Sequence, residues 1–251
     1  MPVGRHVSRW LKVSIAMKHL VALFVLPYLV ACGGGGGGES ASETSADAAA
    51  VACVPKTPVR IQLFGDSTMR GYTAETDSIA EHNPPALLQA ALDSYFGQGT
   101  TLVTVRAVSG TTAKQLLNGT DGLNSPWPGD VSADIVIINH GINDMTHDRD
   151  VPSYFAALRG LAANTGGSRL IFETPNIVAE NDMTGYVKAM KDTAKEFGLP
   201  VADTYAYTST LPDWHAALSD WAHPKDATYV NIVKYSLAPA VIPEVAPLLC
   251  R

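Results

Sequence analysis

The length and composition of the chain indicate one globular domain with additional segments. The chain has 251 residues, of which 46% are hydrophobic and 17% are charged. This is enough apolar content to build a core, and it excludes a chain that is disordered throughout. The formal net charge of −6 argues against nucleic acid as a partner, because nucleic-acid-binding faces are rich in Lys and Arg. Three cysteines exclude a disulfide-dense miniprotein.

The charge is distributed unevenly along the sequence. Residues 1–31 contain four Lys or Arg and no Asp or Glu, whereas the rest of the chain carries 14 basic and 24 acidic side chains, a net charge of −10. The basic segment ends in an uncharged apolar run, residues 20–31, which is shorter than the roughly 20 residues that a transmembrane helix needs. A basic start followed by a short apolar run is typical of an export signal.

The end of this run, Leu29-Val30-Ala31-Cys32, resembles the lipobox of bacterial lipoproteins. The resemblance implies a signal peptide of residues 1–31, cleavage before Cys32, and a membrane anchor of acyl chains on the Cys32 sulfur. A plain secretory signal with an incidental Cys is the alternative. In lipoproteins an Asp after the lipidated Cys favours the inner membrane, so Gly33 implies the outer membrane of a Gram-negative envelope.

Residues 32–52 are predicted to be the lipidated Cys followed by a flexible linker, and residues 53–251 the folded domain. The linker begins with six consecutive glycines and continues with small and polar residues, which offer little apolar surface to bury. Because export makes disulfides possible, Cys53 and Cys250 are candidates for a bond between the start and the end of the domain. Two separate thiols are the alternative.

The rest of the sequence alternates between short apolar runs and segments with helical spacing. Apolar runs bounded by Gly, Pro or polar residues predict buried strands, and helical segments that begin at Pro or end at Gly predict helices. The predicted strands are residues 58–64, 101–108, 133–139, 169–173 and 199–203. The predicted helices are residues 84–96, 112–117, 152–163, 183–197 and 227–238. The helix of residues 227–238 is expected to stop at Pro239, and a shorter helical stretch is a further candidate before Cys250.

This alternation predicts a three-layer α/β/α sandwich, with a parallel sheet of about five strands covered by helices on both faces. Neither an internal repeat nor a second domain is indicated. In such sheets, ligands bind beyond the carboxyl ends of the strands. The residues that follow each strand are therefore the candidates for a functional site.

Three of the predicted strands are followed by polar motifs, and a fourth motif lies near the C-terminus. They are Gly65-Asp66-Ser67-Thr68, Ser109-Gly110, Gly141-Ile142-Asn143-Asp144 and Asp220-Trp221-Ala222-His223-Pro224. Together they contain what acyl transfer from an ester requires. Ser67 is a candidate nucleophile, His223 its base, and Asp220 the carboxylate that fixes the imidazole tautomer. The backbone N–H groups of Ser67 and Gly110 and the side-chain amide of Asn143 are candidates for an oxyanion hole.

The motifs resemble those of the SGNH hydrolase superfamily, also called GDSL esterases/lipases. The family's four letters correspond to Ser67, Gly110, Asn143 and His223, and the motifs stand in the family's order. The resemblance covers residues 61–224. It implies a flavodoxin-like fold, a triad completed by Asp220, and ester hydrolysis through an acyl-enzyme.

Two features qualify this resemblance. Thr68 stands where the family often has Leu, at a position without a catalytic role in the family. The Gly-x-Ser-x-Gly elbow of α/β-hydrolases is absent from the sequence, which argues against that related fold.

Asp66 and Asp144 are expected to orient the loops of Ser67 and Asn143 rather than to transfer protons.

Other histidines compete with His223 by residue type, namely His82, His140, His147 and His215. His223 is favoured because Asp220 precedes it by three residues, at the chain position that the family uses. The sequence shows neither metal-ligand spacing nor a phosphate-binding glycine motif, so we expect neither a metal nor another cofactor.

The family's range leaves the ester open. It includes carbohydrate O-acetylesterases, lysophospholipases, thioesterases and lipases. No long apolar segment lies near Ser67, which favours short acyl chains. Aromatic side chains in loops or beside the motifs could stack on sugar rings or simply cover the cleft; they are Tyr72, Trp127, Trp214 and Trp221. An O-acyltransferase with the same triad and a non-catalytic glycan-binding lipoprotein are the rival functions. We expect a monomer.

Overall fold

The computed structural model of the protein describes residues 57–148 and 150–249. The predicted signal peptide, lipidation site, linker and Cys53–Cys250 pair lie outside these residues. The strands are β1 (Val59–Gly65), β2 (Tyr72–Thr73), β3 (Ser78–Ile79), β4 (Thr101–Val105), β5 (Ile135–Asn139), β6 (Arg169–Glu173) and β7 (Val201–Ala202). The α-helices are α1 (Ser67–Arg70), α2 (Pro84–Phe96), α3 (Ala113–Asn118), α4 (Val151–Ala163), α5 (Thr184–Phe197), α6 (Thr204–Ser209), α7 (Asp226–Ile232) and α8 (Ala238–Val245).

Five of the strands form one parallel sheet in the order β4-β1-β5-β6-β7. The predicted fold class, a five-stranded parallel sheet between two helical layers, is confirmed. Because the chain steps from β4 over β1 to β5, the direction in which strands are added reverses between β1 and β5. Sheets with this topology bind ligands where the strand order reverses, at the carboxyl ends of the strands. Gly65 and Asn139 are neighbours in the register at this point.

The central strand β5 explains the three layers. All five of its residues are buried, and successive side chains point to opposite faces of a sheet. Ile135 and Ile137 pack in one apolar cluster with residues of α2 and α8. Val136 and Ile138 pack in the other with residues of α3, α4 and α5. The sheet is therefore covered on both faces, as the unbroken apolar run in the sequence indicated.

The prediction that the last helix stops at Pro239 was wrong. The chain continues from α7 through a π-helical turn, Val233–Leu237, into α8. Pro239 lies in the first turn of α8, where a proline is tolerated because its missing N–H has no partner to lose within the helix. The proline therefore marks a change of helical register and not an end.

Two predicted strands are shorter in the structure. The second runs to Val105 instead of residue 108, although Arg106 and Val108 still donate backbone hydrogen bonds to the carbonyls of Leu63 and Gly65. The fifth is reduced to Val201–Ala202. Within the described part of the chain, no helix combines the length and apolar character needed to cross a bilayer.

Candidate active site

Ser67 lies at the turn between β1 and α1, where the strand order reverses. A Cβ on Gly65 would lie 2.5 Å from the backbone oxygen of Asn139 and 2.8 Å from Cβ of Met69, so a glycine is required for this close approach. Asp66 caps the short helix by accepting the Thr68 N–H at 2.9 Å. Ser67 is thereby the first residue of α1, half-buried at the carboxyl edge of the sheet.

Three side chains form a continuous hydrogen-bonded chain at this edge. Ser67 Oγ lies 2.8 Å from Nε2 of His223, and Nδ1 of His223 lies 2.7 Å from Oδ2 of Asp220. The side chains of His223 and Asp220 are 17% and 28% exposed. These hydrogen bonds are therefore largely shielded from solvent but still accessible to it. The structure therefore brings the predicted nucleophile, base and carboxylate into contact across 156 residues of sequence.

Asp220 is held in the ionised form that this arrangement needs. Burial raises the pKa of Asp220, but hydrogen bonds from the backbone N–H groups of His223 and Ala222 and from the His223 ring outweigh it, and the pKa is lowered overall. An ionised Asp220 can accept a hydrogen bond from Nδ1–H of His223. In the tautomer with the hydrogen on Nδ1, Nε2 faces the Ser67 hydroxyl as a hydrogen-bond acceptor.

The loop that carries His223 is closed on itself. The backbone N–H and the hydroxyl of Ser219 both donate to the His223 carbonyl oxygen, at 2.7 and 3.0 Å. Leu218 and Pro224 form an antiparallel bridge at the base of the loop. The loop therefore presents Asp220 and His223 from a backbone that its own hydrogen bonds fix.

Asn143 and Asp66 are linked in front of β5. Asn143 Nδ2 donates to Oδ2 of Asp66 at 3.1 Å, which leaves the second amide hydrogen for another acceptor. Asp144 accepts the backbone N–H of Ala113 at 3.1 Å and so joins the Asn143 loop to the start of α3. The structure thus places both carboxylates on the loops that they were expected to orient.

Gly110 lies in the neighbouring loop after β4. Its φ of 78° is in the left-handed region that favours glycine, although a Cβ would meet no atom there. The loop is joined to the β1 end by the Val108 N–H, which donates to the Gly65 carbonyl at 2.9 Å, and by Arg70, which donates to Ser109 Oγ at 3.4 Å. The loops of Ser67, Gly110 and Asn143 therefore lie side by side at one edge of the sheet.

The polar groups beneath Ser67 were not predicted from the sequence. The Thr68 hydroxyl is buried and lies 2.7 Å from Oδ1 of Asp66 and 3.0 Å from Oδ1 of Asn139. Glu173, at the end of β6, is also buried and accepts the Thr204 hydroxyl at 2.8 Å. The available signal was that β5 ends in Asn139 and β6 in Glu173, each after an apolar run. Buried polar residues rarely lack hydrogen-bond partners, so these positions indicated a polar network.

The competing histidines lie in other surroundings. His82 pairs with Asp226 at 2.7 Å, and His147 and His215 are exposed. His140 is buried, with Nε2 3.5 Å from the Thr111 hydroxyl and no hydrogen-bond partner for Nδ1. Burial lowers the pKa of His140 to about 4, so it is neutral at physiological pH.

The aromatic side chains are distributed between core and site. Trp127 packs edge-to-face on Phe64 at 5.2 Å in the core. Trp221 is 38% exposed in the loop between Asp220 and His223. The Tyr72 ring lies 4.7 Å from the His223 ring. Among the described residues, no group of three or more His, Cys, Asp or Glu is placed to hold a metal ion.

This geometry agrees with the comparison of the chain with known proteins. The model of the GDSL-like lipase/acylhydrolase family matches residues 63–230, which is more than half of the chain and includes all four motifs. The chain belongs to this family. The resemblance predicted from the motifs is thereby confirmed, and the protein is a hydrolase of the esterase and acylhydrolase class. The comparison with curated proteins found no match.

Several solved structures share the fold of this GDSL-like hydrolase. The lipase/acylhydrolase of Enterococcus faecalis is 22% identical, with a TM-score of 0.59 over 75% of this chain and 96% of that chain. Axe2, an acetylxylan esterase of Geobacillus stearothermophilus, is 23% identical, with a TM-score of 0.58 over 77% and 96%. LAE5, an alpha/beta hydrolase enzyme from the Lake Arreo metagenome, is 19% identical, with a TM-score of 0.56 over 79% and 98%.

The buried side chains of Glu173 and His140 should make the stability of this GDSL-like hydrolase depend on pH in opposite directions. Burial raises the pKa of Glu173 from 4.5 to about 7, so the charged form destabilises the fold and stability is lost as pH rises through this range. His140, with its pKa lowered to about 4, destabilises the fold as pH falls from 6.5 towards 4. Relative to wild type, Glu173→Gln should gain about 3 kcal/mol of unfolding free energy between pH 4.5 and 7. His140→Gln should gain a similar amount between pH 6.5 and 4.

Urea denaturation of the wild type and both variants across pH 4 to 8 measures these differences. Because the two effects oppose each other in the wild type, each variant serves as the comparison for the other. Variant curves that run parallel to the wild-type curve at every pH would contradict the assignment.

Proposed function

We propose that this protein is a serine esterase that hydrolyses carboxylic esters through an acyl-enzyme on Ser67. The observation that supports this most directly is the hydrogen-bonded chain from Ser67 Oγ through both ring nitrogens of His223 to Asp220, with distances of 2.8 and 2.7 Å. A serine hydroxyl is a weak nucleophile until an adjacent base removes its proton. The order nucleophile, base, carboxylate supplies that base and its orienting partner.

In the first step, Ser67 Oγ attacks the ester carbonyl carbon while His223 Nε2 takes the hydroxyl proton. The carbonyl oxygen becomes an oxyanion that the N–H groups of Ser67 and Gly110 and the Asn143 amide stabilise. One such donor contributes about 3 to 4 kcal/mol to lowering the barrier. The bond to the leaving alcohol then breaks, and His223 gives its proton to the alcohol oxygen.

In the second step, His223 removes a proton from a water molecule that attacks the acyl-Ser67 carbonyl. The bond from the carbonyl carbon to Ser67 Oγ breaks, the proton returns to Ser67, and the carboxylic acid leaves. Asp220 stays ionised throughout and stabilises the imidazolium that forms in both steps. Asp66 holds the Asn143 side chain through the 3.1 Å hydrogen bond and so positions one oxyanion donor.

We further propose that the substrates are short-chain esters, with acylated carbohydrate as the favoured class. Axe2, which shares the fold, is an acetylxylan esterase, and two of its structures are catalytic mutants in which a serine and a histidine are replaced by alanine. The exposed Trp221 lies two residues before the proposed base in the same loop, and an exposed aromatic ring can stack on a sugar. An O-acyltransferase, lysophospholipase or thioesterase with the same triad is the alternative, as is a lipoprotein that only binds glycans.

The proposed location is the bacterial cell envelope, with the outer membrane favoured. The support is the basic and apolar start of the sequence and the Leu29-Val30-Ala31-Cys32 motif. An acidic enzyme domain on a lipidated Gly-rich linker would act on esters near the membrane surface, as a monomer.

Replacement of the nucleophile is the first test of the proposal. Ser67→Ala should abolish hydrolysis of p-nitrophenyl acetate, because no other described group takes its place beside His223 Nε2 in the proposed mechanism. A fluorophosphonate probe should label the wild type and leave Ser67→Ala unlabelled. Ser209→Ala, which removes an exposed hydroxyl on α6, is the matched control and should retain both properties. A folded Ser67→Ala protein with undiminished turnover would rule out the mechanism.

Substrate range is tested by a series of p-nitrophenyl esters from acetyl to palmitoyl, together with acetylated xylan oligosaccharides. We expect kcat/KM to fall as the acyl chain lengthens and acetate to be released from the oligosaccharides. A maximum at long chains would favour the lipase or lysophospholipase alternative. Transfer of acetyl to an added acceptor sugar in preference to water would favour the acyltransferase.

The lipid anchor is tested by metabolic labelling of the full chain with a palmitate analogue in a Gram-negative host. The wild type should incorporate the label and fractionate with membranes, and Cys32→Ser should do neither. Equal labelling of both proteins would exclude lipidation at this position.

A further inference from the structure

The β2–β3 hairpin, which the sequence analysis did not predict, packs against the loop of the proposed base. Tyr72 and Thr73 pair antiparallel with Ile79 and Ser78. The Tyr72 ring meets the His223 imidazole with centroids 4.7 Å apart and planes at 69°, an edge-to-face arrangement typical of favourable aromatic pairs. The imidazole is thus contacted at Nε2 by Ser67, at Nδ1 by Asp220, and on its ring by Tyr72.

Tyr72 is itself held by two hydrogen bonds, one at its hydroxyl and one at its backbone oxygen. Its hydroxyl donates to Oδ1 of Asp77 at 2.5 Å, and its backbone oxygen accepts the hydroxyl of the buried Tyr229 at 2.7 Å. Asp77 lies in the hairpin turn with φ of 50°, a left-handed conformation that Asp adopts more readily than most residues. The hydrogen bond to Asp77 raises the pKa of Tyr72, so the hydroxyl stays protonated and donates at neutral pH.

The hairpin is also joined to the His223 loop through the backbone. Ala74 N–H donates to Ser219 Oγ at 2.9 Å, and the same hydroxyl donates to the His223 carbonyl oxygen at 3.0 Å. Glu75 accepts the backbone N–H of Asp226 at 3.0 Å, three residues beyond His223. These contacts lie on both sides of His223 in the sequence. The hairpin and the loop therefore hold a fixed relation to each other.

The ring contact with Tyr72 restricts the rotation of the imidazole, which the hydrogen bonds of His223 restrict less. The bond to Asp220 fixes one ring nitrogen, but the imidazole can still rotate about its side-chain bonds and move Nε2 relative to Ser67. A rigid group against the ring blocks that rotation. A base must lie within hydrogen-bond reach of the proton that it removes, and a misplacement of about 1 Å can reduce the rate by about a hundredfold.

We propose that Tyr72 is a positioning residue, which holds the His223 imidazole in the orientation that directs Nε2 at Ser67. The hydrogen bond to Asp77 is a secondary restraint on the Tyr72 ring, and the packing of the ring on His223 carries the role. This inference rests on the proposed esterase mechanism, in which His223 is the base. It concerns the ring contact and not a substrate contact, so it predicts a loss in kcat with little change in KM.

The experiment compares Tyr72→Leu, Tyr72→Phe and Tyr207→Leu in the full chain, with p-nitrophenyl acetate as substrate. Tyr72→Leu removes the aromatic contact and should lower kcat about tenfold or more, with KM within about twofold. Tyr72→Phe keeps the ring and should retain kcat within about threefold. Tyr207, which is half-buried and packs on Tyr235, is the matched control, and its replacement by Leu should leave both constants unchanged.

Two further measurements separate positioning from a general loss of structure. Circular dichroism and thermal melting report whether each variant folds. The NMR signal of the proton between His223 Nδ1 and Asp220 should be sharp in wild type and Tyr72→Phe, and broadened in Tyr72→Leu, since a mobile ring exchanges that proton faster. If Tyr72→Leu does not fold, Tyr72→Met, which is closer in volume and equally non-aromatic, takes its place with the same expectation.

A folded Tyr72→Leu protein with wild-type kcat and a sharp Nδ1 proton signal would overturn the inference. An increase in KM at constant kcat would do so too, because it identifies Tyr72 as a substrate contact. So would equal losses in Tyr72→Leu and Tyr72→Phe, because the ring would then contribute nothing. Ser67→Ala keeps this outcome separate from the proposed function: if it is inactive while Tyr72→Leu is unimpaired, only the role of Tyr72 fails.

Discussion

The site depends on the close approach of β1 and β5 at their carboxyl ends. Gly65 lies beside Asn139 in the register, and even a methyl group there would come within 2.5 Å of the Asn139 carbonyl oxygen. This contact sets where β1 ends, and therefore where Asp66 begins the next helix and where Ser67 emerges. Asn143 follows β5 from the same point, which is why one Asp66 carboxylate can bond both the Thr68 N–H and the Asn143 amide.

The fold was predictable because its strands are buried on both faces. Such strands read as unbroken apolar runs, and β5 with five buried residues is the clearest example. The β2–β3 hairpin was not predictable, because two-residue strands carry no periodicity that distinguishes them from a loop. The continuation past Pro239 was missed for another reason: a π-helical turn changes the hydrogen-bond register, and nothing in the local composition marks it.

The candidate site was predictable as a set of motifs but not as a network. Ser67, Gly110, Asn143 and His223 stand in sequence contexts that indicate strand ends and loops, so their residue types suggested the chemistry. Their supporting contacts join residues distant in sequence, such as Tyr72 with His223 and Thr68 with Asn139. Such pairs depend on strand order and loop packing, which a single sequence does not specify.

The separation of 156 positions between Ser67 and His223, the proposed nucleophile and base, has a consequence for folding. Among the described residues, Ser67 follows the first strand and His223 follows the last, so the two side chains meet only when the C-terminal loop has docked on the sheet. Under the proposed mechanism, a chain that is partly folded, or cut after β7, has a serine with no base beside it and so no activated nucleophile. If the proposed mechanism holds, ester hydrolysis by this protein therefore reports that the C-terminal loop has docked onto the sheet.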